Sequence, residues 1–100
     1  MGNTETKREE YIARLQSAIE TSYKCKAAYR RTVLVREKLP QEWSGEVEIF
    51  WLTGHPSAKR CYAWLEQSSG KTAESKVIAI LEVPPVIGPA TAVRAALSAR

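Results

Sequence analysis

The stretch Trp43–Glu66 constrains the fold of this chain most, because it contains two alternating runs joined by a tight turn. The runs Glu46–Leu52 and Ala58–Glu66 alternate with a period of two, which is typical of strands whose two faces meet different surroundings. Between them, Gly54 tolerates a positive φ and Pro56 holds the preceding residue extended, so the chain can reverse its direction. The stretch therefore predicts two neighbouring antiparallel strands.

The remaining chain predicts two helices and two further strands. Apolar residues at helical spacing predict a helix over 6–25, and an Ala-rich segment that follows Gly88-Pro89 predicts a short helix over 90–99. Alternation predicts a strand over 29–38, and a run that is apolar on both faces predicts a central or doubly covered strand over 76–83. The expected fold is α+β, a four-stranded antiparallel meander with the N-terminal helix packed on one face and a short C-terminal helix, in the order α-β-β-β-β-α.

Composition is that of a small globular domain. The chain has 100 residues, of which 44% are hydrophobic and 26% are charged. We expect one domain over 1–100, with 1–5 disordered. The longest apolar run, Val77–Leu81, is far shorter than the roughly 18 residues of a membrane span. The N-terminus has no apolar segment of a secretory signal, so we expect a cytoplasmic protein without a membrane partner.

The alternation also predicts which side chains share a face of the sheet. A register with Val35 opposite Val47 and Arg36 opposite Glu46 pairs apolar with apolar and charge with opposite charge. One face would then pack against Ile12, Leu15 and Ile19 of the first helix. The strand residues expected on this inner face are Val33, Val35, Val47, Ile49, Trp51, Cys61, Ala63 and Leu65.

The opposite face would also be strongly apolar. Its members, with Leu52 beside them, are the expected ligand or interface residues Leu34, Phe50, Tyr62, Trp64, Ile78 and Ile80. Monomers rarely expose a contiguous apolar patch above a few hundred Å², and the short, small-sided C-terminal helix would cover only part of it. Our first hypothesis is therefore a non-enzymatic binding or interaction module that forms a homodimer through this face, with an unknown ligand.

A nucleic-acid-binding accessory protein is the second hypothesis. The net charge is +4, and basic residues concentrate in the segment 24–38. Together with Tyr62 and Trp64 they would form a basic and aromatic surface suited to RNA or single-stranded DNA. The expected nucleic-acid contacts are Lys24, Lys26, Arg30, Arg31, Arg36 and Arg60. The alternative interpretation is that these charges keep a strand edge from pairing with other chains.

A small enzyme that uses His55, the only histidine, as a proton shuttle is the third hypothesis. A nucleophilic pair with Cys61 fails on distance, because this cysteine lies several residues along the strand from the turn. Cys25 and Cys61 have no C-x-x-C spacing and aspartate is absent, so we expect neither a metal nor a cofactor. The segment 70–72 lacks the upstream glycine of a phosphate-binding loop. We expect no catalytic residue.

Glu46, Glu48 and Glu66 could supply acid and base groups only if they converged, and their spacing does not bring them together. We expect them to be exposed strand carboxylates.

The segment Gly45–Trp64 resembles a group of short uncharacterised bacterial proteins. The resemblance is carried by Val47–Phe50, Leu52–Pro56 and Arg60–Trp64. Some similar small α+β proteins are carried on integron gene cassettes. The resemblance implies a bacterial protein without an assigned activity, and it transfers no catalytic residue to this chain.

Overall fold

Two helices lie on opposite faces of a four-stranded antiparallel sheet in the computed structural model, which describes residues 3–38, 42–67 and 75–99. The elements are α1 (Asn3–Tyr23), β1 (Lys26–Glu37), β2 (Trp43–Thr53), β3 (Arg60–Gln67), β4 (Ser75–Leu81) and α2 (Pro89–Ser98). The strands follow the order β1-β2-β3-β4, so each pairs with its neighbour in the chain. The predicted α-β-β-β-β-α fold is confirmed. Residues 1–2 of the predicted disordered segment and residues 70–72 of the rejected phosphate loop lie outside the described residues.

Helix α1 is tied directly to the strand that follows it. Lys24 adopts a left-handed backbone with φ of 52°, which ends the helix and turns the chain without a loop. The Gln16 side chain donates a hydrogen bond to the Ala27 carbonyl at 2.7 Å, and the Glu20 carboxylate accepts one from the Ala27 amide at 2.9 Å. These bonds fix the start of β1 against the helix.

Each face of the sheet has its own apolar core. On the α1 side, Leu15 and Ile19 pack against Phe50, Cys61 and Ala63. The core on the α2 side contains Val35, Val47, Ile49, Tyr62, Trp64, Val86, Ala92, Val93 and Leu97. The small side chains of α2 let it lie close to the large side chains of the sheet, and these fill the space between the layers. Neither helix within the described part of the chain has the length and apolar character needed to cross a bilayer.

The predicted register between β1 and β2 is wrong by two residues. Val33 lies opposite Val47, and Arg36 lies opposite Ser44 instead of Glu46. β2 begins at Trp43 instead of Glu46, so fewer residues connect the two strands than predicted. A shift of two residues preserves the facing of each side chain, so it does not by itself move a residue to the other face.

The predicted inner face is also wrong, because it mixes residues from the two faces. Val33, Val35, Val47 and Ile49 lie on the α2 side, whereas Cys61, Ala63 and Leu65 lie on the α1 side. The pairing of β2 with β3 decides this, since Phe50 lies opposite Cys61 and Ile49 lies opposite Tyr62. Alternation shows which residues of one strand share a face of the sheet. It does not show which residues of the next strand lie on that same face.

Glu48 is not the exposed carboxylate that the sequence predicted. Its side chain is completely buried on the α1 side, and Arg8 of α1 donates a hydrogen bond to Glu48 Oε1 at 3.0 Å. The Thr32 hydroxyl donates to the same oxygen, and Arg8 also reaches Thr32. The buried charge is therefore held by a cation and a hydroxyl that belong to two different elements.

Candidate anion-binding site

A bulge in β1 places two arginines side by side. The register passes from Tyr29 opposite Phe50 to Arg31 opposite Ile49, which leaves Arg30 as an extra residue. In a bulge, two residues of one strand oppose one residue of its partner, so strict alternation is lost there. Arg30 and Arg31 consequently line the same hollow on the α2 side of the sheet.

This hollow, which we call the arginine hollow, has a volume of about 370 Å³. That size is within the range of small-molecule sites, which is about 300–1,000 Å³. Its polar wall combines Arg30 and Arg31 of β1 with Arg60 of β3. The complete lining is Arg30, Arg31, Ile49, Trp51, Arg60, Tyr62, Ile87, Gly88 and Pro89.

An exposed indole ring lies among the arginines. Trp51 is 48% exposed although it belongs to the apolar alternation of β2. The guanidinium carbon of Arg30 lies 4.4 Å from the Trp51 ring centroid, and that of Arg60 lies 5.8 Å from it. These cation–π contacts hold both guanidinium groups beside a flat apolar surface.

The arginine hollow has more positive groups than negative ones. Within residues 3–38, 42–67 and 75–99, no carboxylate forms an ion pair with Arg30 or Arg31. Arg60 has a loose partner, because its Nη1 lies 3.7 Å from Glu82 Oε2. The same Glu82 oxygen accepts a hydrogen bond from the Tyr62 hydroxyl at 2.6 Å. Burial, together with this bond to Glu82, raises the pKa of Tyr62 to about 12, so the phenol stays a donor at neutral pH.

The start of α2 forms the far rim of the arginine hollow. Gly88 and Pro89 line it, and the Thr91 hydroxyl accepts hydrogen bonds from the Ile87 and Gly88 amides at 2.9 and 3.0 Å. A helix N-terminus carries a partial positive charge, which adds to the field of the three arginines. The rim therefore favours an anionic ligand, as the arginines do.

A second hollow lies at the β2–β3 turn. This turn hollow has a volume of about 500 Å³ and shares Trp51 and Arg60 with the arginine hollow. Its lining is Trp51, Leu52, Thr53, Gly54, His55, Ala58, Lys59 and Arg60. Gly54 makes the turn possible, since its φ of 90° is one that other residues rarely adopt.

His55, the proposed proton shuttle of the third hypothesis, lies in the turn hollow. Its Nδ1 accepts hydrogen bonds from the Ser57 and Ala58 amides at 3.0 and 2.9 Å, and its ring packs edge-on against Tyr23. Only Nε2 is therefore left to meet a ligand. Burial raises the pKa of the Cys61 thiol to about 12, which leaves no thiolate for nucleophilic chemistry at neutral pH. No cluster of metal ligands occurs among the residues that the structure describes.

The structure brings together half of the predicted nucleic-acid contacts. Arg30, Arg31 and Arg60 converge on the arginine hollow. Lys24 and Lys26 line a different hollow beside the end of α1. Arg36 lies near the other end of β1, in a surface depression lined by residues 36–38 and 42–44.

The predicted interface residues do not form one uncovered face. Phe50 is buried under α1, whereas Tyr62 and Trp64 are buried under α2. Ile78 and Ile80 are half-buried against the same core as Tyr62 and Trp64. Leu34 alone of the six is largely exposed, at 77%. The expectation of a shared apolar surface is wrong because the two helices cover both faces; the homodimer itself stays a prediction.

Sequence reasoning missed Trp51, Glu82 and the rim at 87–89. Parity places Trp51 in the core with Val47 and Ile49, but its side chain is half exposed and does not join the core under α2. One signal was present: the consecutive arginines Arg30 and Arg31 interrupt the alternation of β1. Such an interruption inside a strand is typical of a bulge.

Comparisons of the chain with protein-family models, with curated proteins and with solved structures give no match. The resemblance to integron-cassette proteins therefore stays a prediction.

Proposed function

We propose that this protein binds single-stranded nucleic acid, with Arg30, Arg31 and Arg60 as phosphate contacts and Trp51 as the stacking surface for a base. The observation that carries the proposal is the pair Arg30 and Arg31, which lacks carboxylate partners among the described residues and lies beside an exposed indole. A guanidinium group matches the geometry of a phosphate with two parallel hydrogen bonds. The ligand would therefore replace water around charges that the fold leaves unpaired.

The exposed ring favours a single strand over a duplex. In a duplex the base faces are stacked on one another, so an aromatic side chain cannot reach them. In a single strand each base offers a free face, and stacking on an aromatic residue is worth about 1–3 kcal/mol per base. Trp51 presents such a ring, and Arg30 and Arg60, whose guanidinium groups lie over it, would move to the adjacent phosphates when a base stacks there.

Changing both Arg30 and Arg31 to alanine is expected to weaken binding to a fluorescein-labelled oligothymidylate, measured by anisotropy. Each phosphate neutralised on a single strand contributes about 0.7 to the slope of log K against log salt concentration, so the slope should become shallower by about 1.4. The double variant R36A/K38A is the matched control. It removes the same charge at the end of β1, from Arg36 and from Lys38 just after the strand, but these two side chains lie outside the arginine hollow.

The control variant should lose little affinity and keep most of the salt slope of the natural sequence. Equal losses in R30A/R31A and R36A/K38A would mean that only net charge matters, and this would contradict a site at the arginine hollow. Tighter binding of a duplex than of the single strand would contradict the role of Trp51.

Changing Glu82 to glutamine is expected to tighten binding. The carboxylate competes with a phosphate for Arg60, from which it is separated by 3.7 Å, and it repels any anion in the hollow. The glutamine carbonyl can still accept the Tyr62 hydrogen bond. A partly exposed ion pair is worth up to about 1 kcal/mol, so the gain should be up to about fivefold in Kd.

Glu37→Gln is the matched control for this change. Glu37 is paired with Arg94 at 2.7 Å, and it lies outside both hollows. The Kd of this variant should stay close to that of the unchanged protein. Weaker binding of Glu82→Gln would show that the carboxylate helps the ligand, which is the reverse of the proposed competition.

A further inference from the structure

The two hollows beside Trp51 share a wall. Trp51 and Arg60 line both of them, while Arg30 and Arg31 lie only in the arginine hollow and Lys59 lies only in the turn hollow. Cationic side chains therefore line both hollows. A single small anion in the arginine hollow would leave Lys59 of the turn hollow unused.

A nucleotide inside a strand has a phosphate on each side of its nucleoside. A base stacked on Trp51 would thus direct one phosphate toward Arg30 and Arg31 and the other toward Lys59. Lys59 is exposed, and within the described ranges it forms no ion pair. Arg60, which borders both hollows, lies where the two phosphates would be nearest to each other.

The lining of the turn hollow suits a second nucleotide. Among the described residues no carboxylate lines it, and its polar members are Thr53, the Nε2 of His55, Lys59 and Arg60. Leu52 and Ala58, which are buried in the core on the α1 side, form the apolar part of its lining. Its volume of about 500 Å³ has room for a group of nucleotide size.

We infer that the bound strand continues from the arginine hollow past Trp51 into the turn hollow, so that the site takes at least two consecutive nucleotides instead of a free mononucleotide. This inference rests on the proposed function and adds the minimum length of the ligand. The strand follows the exposed edge of Trp51, with Lys59 as the contact to its second phosphate.

The experiment compares thymidine monophosphate, the dinucleotide pTpT and an oligothymidylate of about eight nucleotides, a length within the usual range for one small binding domain. Titration calorimetry should show that pTpT binds about tenfold tighter than the monophosphate, since one further stacked and charged nucleotide adds about 1–3 kcal/mol. Lys59→Ala should remove most of this gain and leave the monophosphate unchanged. Arg31→Ala should weaken all three ligands.

Lys38→Ala is the matched lysine control, because Lys38 is exposed and lies outside both hollows. His55 supplies a second readout, since it is the only histidine and its imidazole resonances are unambiguous. These resonances should shift with pTpT and stay in place with the monophosphate.

The outcomes separate the two proposals. Equal affinities for the monophosphate and pTpT, or a Lys59→Ala variant that keeps the full gain, would overturn the continuous path while the arginine site stands. An Arg31→Ala variant that binds every ligand as tightly as the unchanged protein would overturn the proposed function as well.

Discussion

Replacing Trp64 with alanine is expected to lower the free energy of unfolding by about 3–5 kcal/mol, the usual cost of removing a large aromatic side chain from a core. Trp64 is 2% exposed, and its ring packs edge-on against Trp43 with the centroids 5.6 Å apart. At about 4–8 °C per kcal/mol for a domain of this size, the melting temperature should fall by tens of degrees. Urea unfolding followed by circular dichroism measures the change.

Two tryptophan variants make this test specific. Trp64→Phe keeps most of the ring and removes an indole N–H that has no hydrogen-bond partner among the described residues, so it should cost much less than the alanine variant. Trp51→Ala should cost little stability because its ring is half exposed, although it should weaken oligonucleotide binding. If Trp64→Ala cost no more than Trp51→Ala, Trp64 would lie on an uncovered face and the α2 layer would be wrong.

Replacing Arg8 with alanine is the second large change, with an expected cost of about 3 kcal/mol. Removing one partner of a buried ion pair usually costs about 3–5 kcal/mol, and the lower end applies because the Arg8 side chain is 39% exposed. Glu48 would keep only the Thr32 hydroxyl on Oε1, while its Oε2 is buried and already has no partner among the described residues. Chemical unfolding in urea at neutral pH gives the difference.

A second substitution separates the charge effect from lost packing. In R8A/E48Q the buried group is neutral, so this double variant should be more stable than Arg8→Ala alone. Lys7→Ala, an exposed neighbour on α1, should change the free energy of unfolding by no more than about 0.5 kcal/mol. Equal effects of Arg8→Ala and Lys7→Ala would show that the buried carboxylate does not depend on the guanidinium.

The elements of the fold could be predicted because each depends on local sequence. Alternation and turn residues in Glu46–Leu52 and Ala58–Glu66 indicate two strands, and helical spacing around Leu15 indicates α1. The relative phase of the strands could not be predicted, because it depends on which residues of β2 and β3 pair. Phe50 opposite Cys61 puts both under α1, and no pattern within one strand contains that information.

The candidate site could be predicted only in part, because the sequence shows which residues are basic but not which of them meet on the surface. Charge density drew attention to Arg30 and Arg31, but it could not distinguish them from Arg36, because residues that are close in the chain need not be close on the surface. Trp51 was wrongly expected in the core, because alternation gives the face on which a side chain lies but not whether a helix covers that part of the face. The bulge that brings Arg30 and Arg31 to one hollow arises from the pairing of β1 with β2.

The sheet order also bears on how the chain reaches its native state. Each strand pairs with its neighbour in the chain, so the sheet can grow by successive hairpin closures, which cost less entropy than closing long loops. The hydrogen bond from the Tyr23 hydroxyl to the Ala79 carbonyl joins residues 56 positions apart and needs β4 in place. Docking of α1 is thus expected to complete folding, and substitutions at its contact with β4 should change the unfolding rate more than the folding rate.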